Sequence, residues 1–134
     1  MDQKTYVMIK PDAVARGLAG RIIARFEDVG LKVERMEFGA LTHAQAAANY
    51  REHEGKPFYD GLISYITSGP VVKIVLSGPD AVVVARKLMG ATNPVEAAPG
   101  TIRGDFGLML DANLIHGSDS PASAEREIAV FFDA

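Results

Sequence analysis

The sequence predicts an α/β (α+β) sandwich of the ferredoxin-like, split βαβ type: a four-stranded antiparallel sheet, helices on one face, and a long loop before the last strand. Three observations carry that expectation. Apolar β-rich runs and stretches of helical periodicity succeed one another as strand, helix, strand, helical hairpin, strand, helix, long loop, strand, helix. No linker-like tract and no internal repeat breaks the succession. The chain has 134 residues, enough to bury one core and too few for two, so 1–134 is expected to form a single domain.

Thr5 to Lys10 is a short apolar run stopped by Pro11, as a buried strand would be. Leu18, Ile22, Ile23, Phe26 and Val29 recur at helical spacing until Gly30, a suitable terminator. Leu31 to Leu41 alternates loosely enough for a second strand. Thr42 and Gln45 make a capping-box pattern that opens an Ala-rich helix through Tyr50 and His53. Pro57 begins the second arm, Phe58 to Thr67, which Gly69-Pro70 ends. Val71 to Leu76 reads as the third strand, and Pro79 to Met89 as a helix closed by Gly90. From Gly90 to Asn113 the breakers Asn93-Pro94, Pro99-Gly100, Gly104 and Gly107 leave room only for a short turn of helix near Arg103. Leu114 and Ile115 begin a last, buried strand, and Ser120-Pro121 caps a helix whose Ala124, Ile128, Phe131 and Phe132 share one face.

Composition narrows the function. Hydrophobic residues make up 48% and charged residues 23%, which is ordinary for a globular protein and argues against disorder. The formal charge of -3 supplies no global field for nucleic acid or an anionic membrane, so neither is an expected partner and any polyanion site must be local. The absence of cysteine excludes disulfides, thiolate metal sites and cysteine nucleophiles. Met1-Asp2-Gln3-Lys4 lacks a signal-peptide pattern, and no apolar run is long enough to span a bilayer. A cytoplasmic protein is expected.

The chemistry points to Asn113-Leu114-Ile115-His116-Gly117-Ser118-Asp119-Ser120. A neutral imidazole takes and returns a group near neutral pH, and Gly117 would open space beside the ring. Taken alone, these eight residues favour a core histidine satisfied by a neighbouring carbonyl; the rest of the chain reverses that preference. Neither a Gly-x-x-x-x-Gly-Lys-Ser/Thr loop nor a Gly-x-Gly-x-x-Gly turn is present, which argues against a P-loop or Rossmann site. The candidate cations Lys10, Arg86 and Arg103 are dispersed, each singly a solvated charge, yet strand ends and long loops are where α/β sheets carry their sites. His43 and His53 read as solvated on a polar helix. Glu127 and Glu125 flank the apolar stripe of the last helix equally well, and periodicity does not choose between them.

Five blocks, in order along nearly the whole chain, resemble the nucleoside diphosphate kinase family: Ile9-Lys10-Pro11-Asp12-Ala13-Val14, Thr67-Ser68-Gly69-Pro70-Val71-Val72, Gly90-Ala91-Thr92-Asn93-Pro94, Pro99-Gly100-Thr101-Ile102-Arg103-Gly104-Asp105-Phe106, and Asn113 through Ser120. The resemblance implies an enzyme that moves the γ-phosphate of a nucleoside triphosphate to a nucleoside diphosphate by a ping-pong route, with low base and sugar specificity. It implies His116 as the phosphorylated nucleophile. Lys10, Tyr50, Arg86, Thr92, Arg103 and Asn113 match the family's phosphate and sugar ligands, Lys10 and Asn113 lying nearest the sugar. Phe58 matches the aromatic platform for the base and Leu62 the apolar residue beside it. Ser118 and Glu127 match the pair that orients the histidine, so the choice of Glu127 over Glu125 comes from the resemblance.

These roles agree with the physics. Phosphoryl transfer needs positioning and charge stabilisation, which two arginines, a lysine, an imidazole and a nucleotide-bound Mg²⁺ provide. Stacking on an aromatic face accepts every base. The resemblance also implies a homo-oligomer, with a hexamer favoured over a tetramer or dimer. An idle nucleotide-binding module on the same fold would need the cations but not His116.

Overall fold

A computed structural model describes residues 2–110 and 112–132. Strands β1 (Asp2–Ile9), β2 (Lys32–Ala40), β3 (Pro70–Pro79) and β4 (Ile115–Gly117) form one antiparallel sheet in the order β2-β3-β1-β4. The helices are α1 (Pro11–Ala15), α2 (Ala19–Asp28), α3 (His43–Asn49), α4 (Tyr59–Ile66), α5 (Ala81–Met89), α6 (Ile102–Phe106) and α7 (Pro121–Phe132), with a 3₁₀ turn at Arg51–His53. Two split βαβ units share this sheet, as the succession of elements predicted.

Helices on one face only is where the expectation fails. Alternate residues of β1 feed two cores: Val7 and Ile9 pack with Ile22, Phe26, Ala85 and Met89, while Tyr6 and Met8 pack with Ala46, Ile63, Ile66 and Phe131. Helices α2 and α5 therefore cover one face and α3, α4 and α7 the other. The reason lies in the central strands. Thr5 to Ile9 and Val71 to Leu76 are buried at every residue, apolar but for Thr5 and Lys73 and without alternation, so both of their faces leave water. β2 differs: it is an edge strand, largely exposed, with a register shift between Val33 and Arg35.

Local signals set the other boundaries. Pro11, expected only to stop β1, also occupies the first turn of α1, where its missing N–H costs nothing. Thr42 and Gln45 form the complete capping box of α3. Gly90 closes α5 at φ +85°, a conformation glycine adopts freely. The Ser120 hydroxyl accepts the Ser123 N–H at 3.0 Å and caps α7. Among the described residues, no helix is long and apolar enough to cross a membrane.

Candidate active site

The long loop reaches the sheet through Arg103, which α6 carries. Thr101 caps this helix by accepting the Gly104 N–H at 3.0 Å, and any Cβ at Gly104 would collide with the Ala98 carbonyl. Arg103 is 5% exposed and donates to three backbone carbonyls: Asn113 O at 3.2 Å, Gly90 O at 3.0 Å and Ile115 O at 2.6 Å. A guanidinium has five N–H donors, so two remain for a ligand. Lys10, at the end of β1, donates from Nζ to Asn113 Oδ1 at 2.7 Å, and Asn113 Nδ2 donates to Thr92 O at 3.0 Å. Between Asn113 and β4, Leu114 is fully buried at φ +78°, and Ile115 N–H donates to Asn113 O at 2.9 Å. This is a γ-turn with a left-handed central residue, a strained conformation for leucine.

His116 follows, paired with Met8 across the sheet. Its Nε2 lies 2.7 Å from Glu127 Oε1, an oxygen that also accepts the Ser118 hydroxyl at 2.9 Å. Ser118 is fully buried and in turn accepts the Tyr6 N–H at 3.3 Å, which ties the triad to the centre of the sheet. A carboxylate accepts and does not donate, so in the neutral ring Nε2 carries the proton and Nδ1 keeps its lone pair. Glu127 is 4% exposed, whereas Glu125 is exposed on the opposite side of α7. The orientation of α7 thus makes the choice that periodicity left open. The space at Gly117 serves a different neighbour than expected: a Cβ there would run into the Met89 sulfur of α5.

An open cleft of about 420 Å³ gathers Lys10, Tyr50, Leu62, Arg86, Thr92, Arg103, Asn113, His116 and Glu127 into its lining. Ser118 stands behind this wall. Phe58 stands outside the lining, 52% exposed, with its ring 5.3 Å from that of His53, which does line the cleft. His53 was expected in solvent; the 3₁₀ turn after α3 swings it inward, between Tyr50 and Phe58. Asn49, Glu52, Asp119, Ser123 and Arg126 also face the cleft. No local pattern marked them, except that Asp119 and Ser123 follow His116 closely.

The electrostatics are those of an anion site. Among the described residues, Lys10, Arg86 and Arg103 form no ion pair; their hydrogen bonds go to Asn113 and to backbone carbonyls. Burial, with Arg103 close by, brings Lys10 down from 10.5 to about 8, Asp12 opposing. Burial and Arg86 lower Arg103 to about 10. Burial and the Glu127 charge push Tyr50 up to about 12, which keeps it a neutral donor. A hydrogen bond from Ser123 and the charge of Arg86 hold Asp119 below the usual carboxylate range, against its desolvation. Three cations without a direct ion pair among the described residues, around an imidazole with a free nitrogen, suit a phosphorylated ligand.

Comparison with known proteins agrees. A family profile described as nucleoside diphosphate kinase matches residues 3–134. The nucleoside diphosphate kinase of Heliobacterium modesticaldum is 57% identical over 132 residues, which cover 98% of this chain and 89% of that protein. That of Archaeoglobus fulgidus is 55% identical over 130 residues, covering 97% and 86%. The structure of a halophilic nucleoside diphosphate kinase from Halobacterium salinarum in complex with CDP aligns at a TM-score of 0.97 and 54% identity, over 100% of this chain and 90% of that one. A nucleoside diphosphate kinase family protein from Babesia bovis aligns at 0.94 and 46% identity, over 97% and 88%. The chain belongs to the nucleoside diphosphate kinase family.

Proposed function

We propose that the protein equilibrates nucleoside triphosphates and diphosphates of the cytoplasmic pool through a phosphohistidine on Nδ1 of His116. The observation that carries this reading is the 2.7 Å contact of His116 Nε2 with buried Glu127, which leaves Nδ1 as the nucleophile in a cleft lined by Lys10, Arg86 and Arg103. Nδ1 attacks the γ-phosphorus while the bond to the β-phosphate oxygen breaks and the diphosphate departs. A second diphosphate enters, its terminal oxygen attacks the phosphohistidine, and the imidazole is regenerated. Arg86 and Arg103 stabilise charge on the transferring group, and Tyr50 and Thr92 complete the phosphate ligands. Lys10 and Asn113 hold the sugar end. Phe58, with Leu62 beside it, offers the base a stacking face, so base identity matters little. The CDP bound to the halobacterial relative supports a nucleotide in this cleft.

Magnesium fits as an ion carried in on the nucleotide. Among the described residues no three His, Cys, Asp or Glu are grouped to hold a metal, and Asp119 is the cleft carboxylate that would face phosphate-bound Mg²⁺, which neutralises phosphate charge when present. We further propose a homo-oligomer, with a hexamer favoured. Its support is the exposed apolar side chains of edge strand β2, Met36 at 52% and Phe38 at 69%, and the exposed run Leu108, Met109 and Leu110.

Brief mixing with ATP labelled in its γ-phosphate tests the chemistry. The protein is expected to retain base-stable, acid-labile label, as a phosphoramidate does, and His116→Ala to retain none while still binding nucleotide. Acid-stable label in the wild type, or label surviving in the variant, overturns the assignment.

A further inference from the structure

We infer that Arg126 is a positioning residue for phosphoryl transfer that acts on His116 through Glu127; the inference rests on the phosphohistidine reading above and adds a member to that site. Glu127 Oε1 is shared by His116 Nε2 at 2.7 Å and the Ser118 hydroxyl at 2.9 Å. Its other oxygen, Oε2, faces Arg126 Nη2 at 3.4 Å. A carboxylate this buried is costly when one oxygen lacks a donor, and Arg126 is the group that meets it. The same guanidinium reaches Asn49 Oδ1 at 3.5 Å from Nη1, which links α7 to the end of α3. Both contacts are long, so Arg126 acts by charge and direction more than by tight hydrogen bonds.

The consequence is geometric. With Oε2 held towards Arg126 and Oε1 bridged to Ser118, the carboxylate plane has one orientation, which aims an Oε1 lone pair at Nε2. Without Arg126 only Oε1 is tethered by the described residues, and the carboxylate swings about the bond to its carbon chain. His116 then loses its directed acceptor, the Nε2–H and Nδ1–H tautomers mix, and fewer molecules present a free Nδ1 lone pair. Nucleotide binding is unaffected, because Lys10, Arg86, Arg103 and Phe58 remain. Arg126 itself lines the cleft, which makes direct phosphate contact the competing role, and that role would appear in KM instead.

The experiment compares wild type, Arg126→Ala, Arg126→Lys, Glu127→Ala and the Arg126→Ala/Glu127→Ala double variant by rapid-quench labelling from ATP and by steady-state KM. Expected results are a roughly tenfold slower labelling rate in Arg126→Ala with KM unchanged, recovery of most of that rate in Arg126→Lys, and a double variant no slower than Glu127→Ala alone. Nitrogen NMR of His116 in alkaline solution is expected to show one tautomer in the wild type and a mixture in Arg126→Ala. A raised KM at an unchanged labelling rate, additive losses in the double variant, or one tautomer in both proteins overturns the positioning role. Failure of the wild type to take label on His116 overturns the phosphohistidine reading instead, and this inference with it.

Discussion

Lys10 and Asn113 are 103 residues apart in sequence and meet at 2.7 Å between Nζ and Oδ1. The hydrogen-bond partner of this ammonium is a neutral amide, and burial, with the like charge of Arg103 outweighing Asp12, leaves Lys10 at about 8 instead of 10.5. The value is lowered by folding, so the charge destabilises the native state in full below about pH 8, and that cost fades as pH rises from there to 10.5. Binding runs the other way, because deprotonation removes one cation from the phosphate cleft. We predict that kcat/KM for nucleotide falls above about pH 8 in the wild type, and that Lys10→Arg, which stays protonated, moves that fall to higher pH. A wild-type profile with no fall above that pH would refute this.

Arg103→Lys is predicted to lose both activity and stability. The guanidinium fastens Gly90, Asn113 and Ile115 at once, and an ammonium on a flexible stem matches neither that geometry nor a two-donor grip on phosphate. The expected loss is roughly 2–4 kcal/mol of folding stability, read by thermal melting, with turnover reduced further than melting explains. Wild-type turnover in this variant would reduce Arg103 to a structural tie.

Phe58→Ala should leave the melting temperature almost unchanged, since the ring is half exposed. It should weaken purine and pyrimidine nucleotides alike, by about 1–3 kcal/mol. Calorimetric titration with ADP, GDP, CDP and dTDP checks both halves; loss of one base type alone would point to hydrogen bonding at base edges.

Glu127→Ala should be milder than His116→Ala. In the proposed mechanism the carboxylate orients the ring and forms no bond to phosphorus, so labelling is expected to slow by about 10–100-fold without stopping. Complete loss of label with an unchanged fold, judged by circular dichroism, would give Glu127 a larger part than orientation.

Phe38→Asp tests the assembly. It places a charge on the exposed edge strand, where a subunit contact would have to desolvate it. Light scattering should show the wild type well above the 14.3 kDa of one chain and the variant at lower mass. A monomeric wild type at micromolar concentration would rule out the oligomer.

How far the sequence could be read depended on whether a residue's signal was local. The Asn113-to-Ser120 stretch offered a histidine but by itself favoured a core role, and the five blocks together reversed that, whereas Thr42, Gly90 and Ser120 marked helix ends by capping chemistry that acts within a few residues. Helix α7 was legible as a helix but not as an orientation: Glu125 and Glu127 differ only in which one the packing of Phe131 on Tyr6, with rings 4.8 Å apart, turns inward. His53 and Arg126 were illegible for a similar reason, because an irregular turn and a neighbouring helix bring them to the cleft. The second layer of helices was implicit in strands Thr5 to Ile9 and Val71 to Leu76, whose apolar residues, interrupted only by Thr5 and Lys73, fall on both faces and require cover on both sides.

The left-handed turn at Leu114 makes the setting of His116 a property of the whole fold. A leucine in that conformation costs about 1–2 kcal/mol, and its local support is the single γ-turn bond from Ile115 N–H to Asn113 O at 2.9 Å. The compensation comes from elsewhere: Lys10 N–H on the Leu114 carbonyl at 2.8 Å, Arg103 on the carbonyls either side, and complete burial of the side chain. A free peptide of Asn113 through Ser120 would therefore carry the histidine in conformers that do not match the site. The arrangement around His116 needs β1, α6 and the core beneath Leu114 all in place, so it exists only in the closed fold.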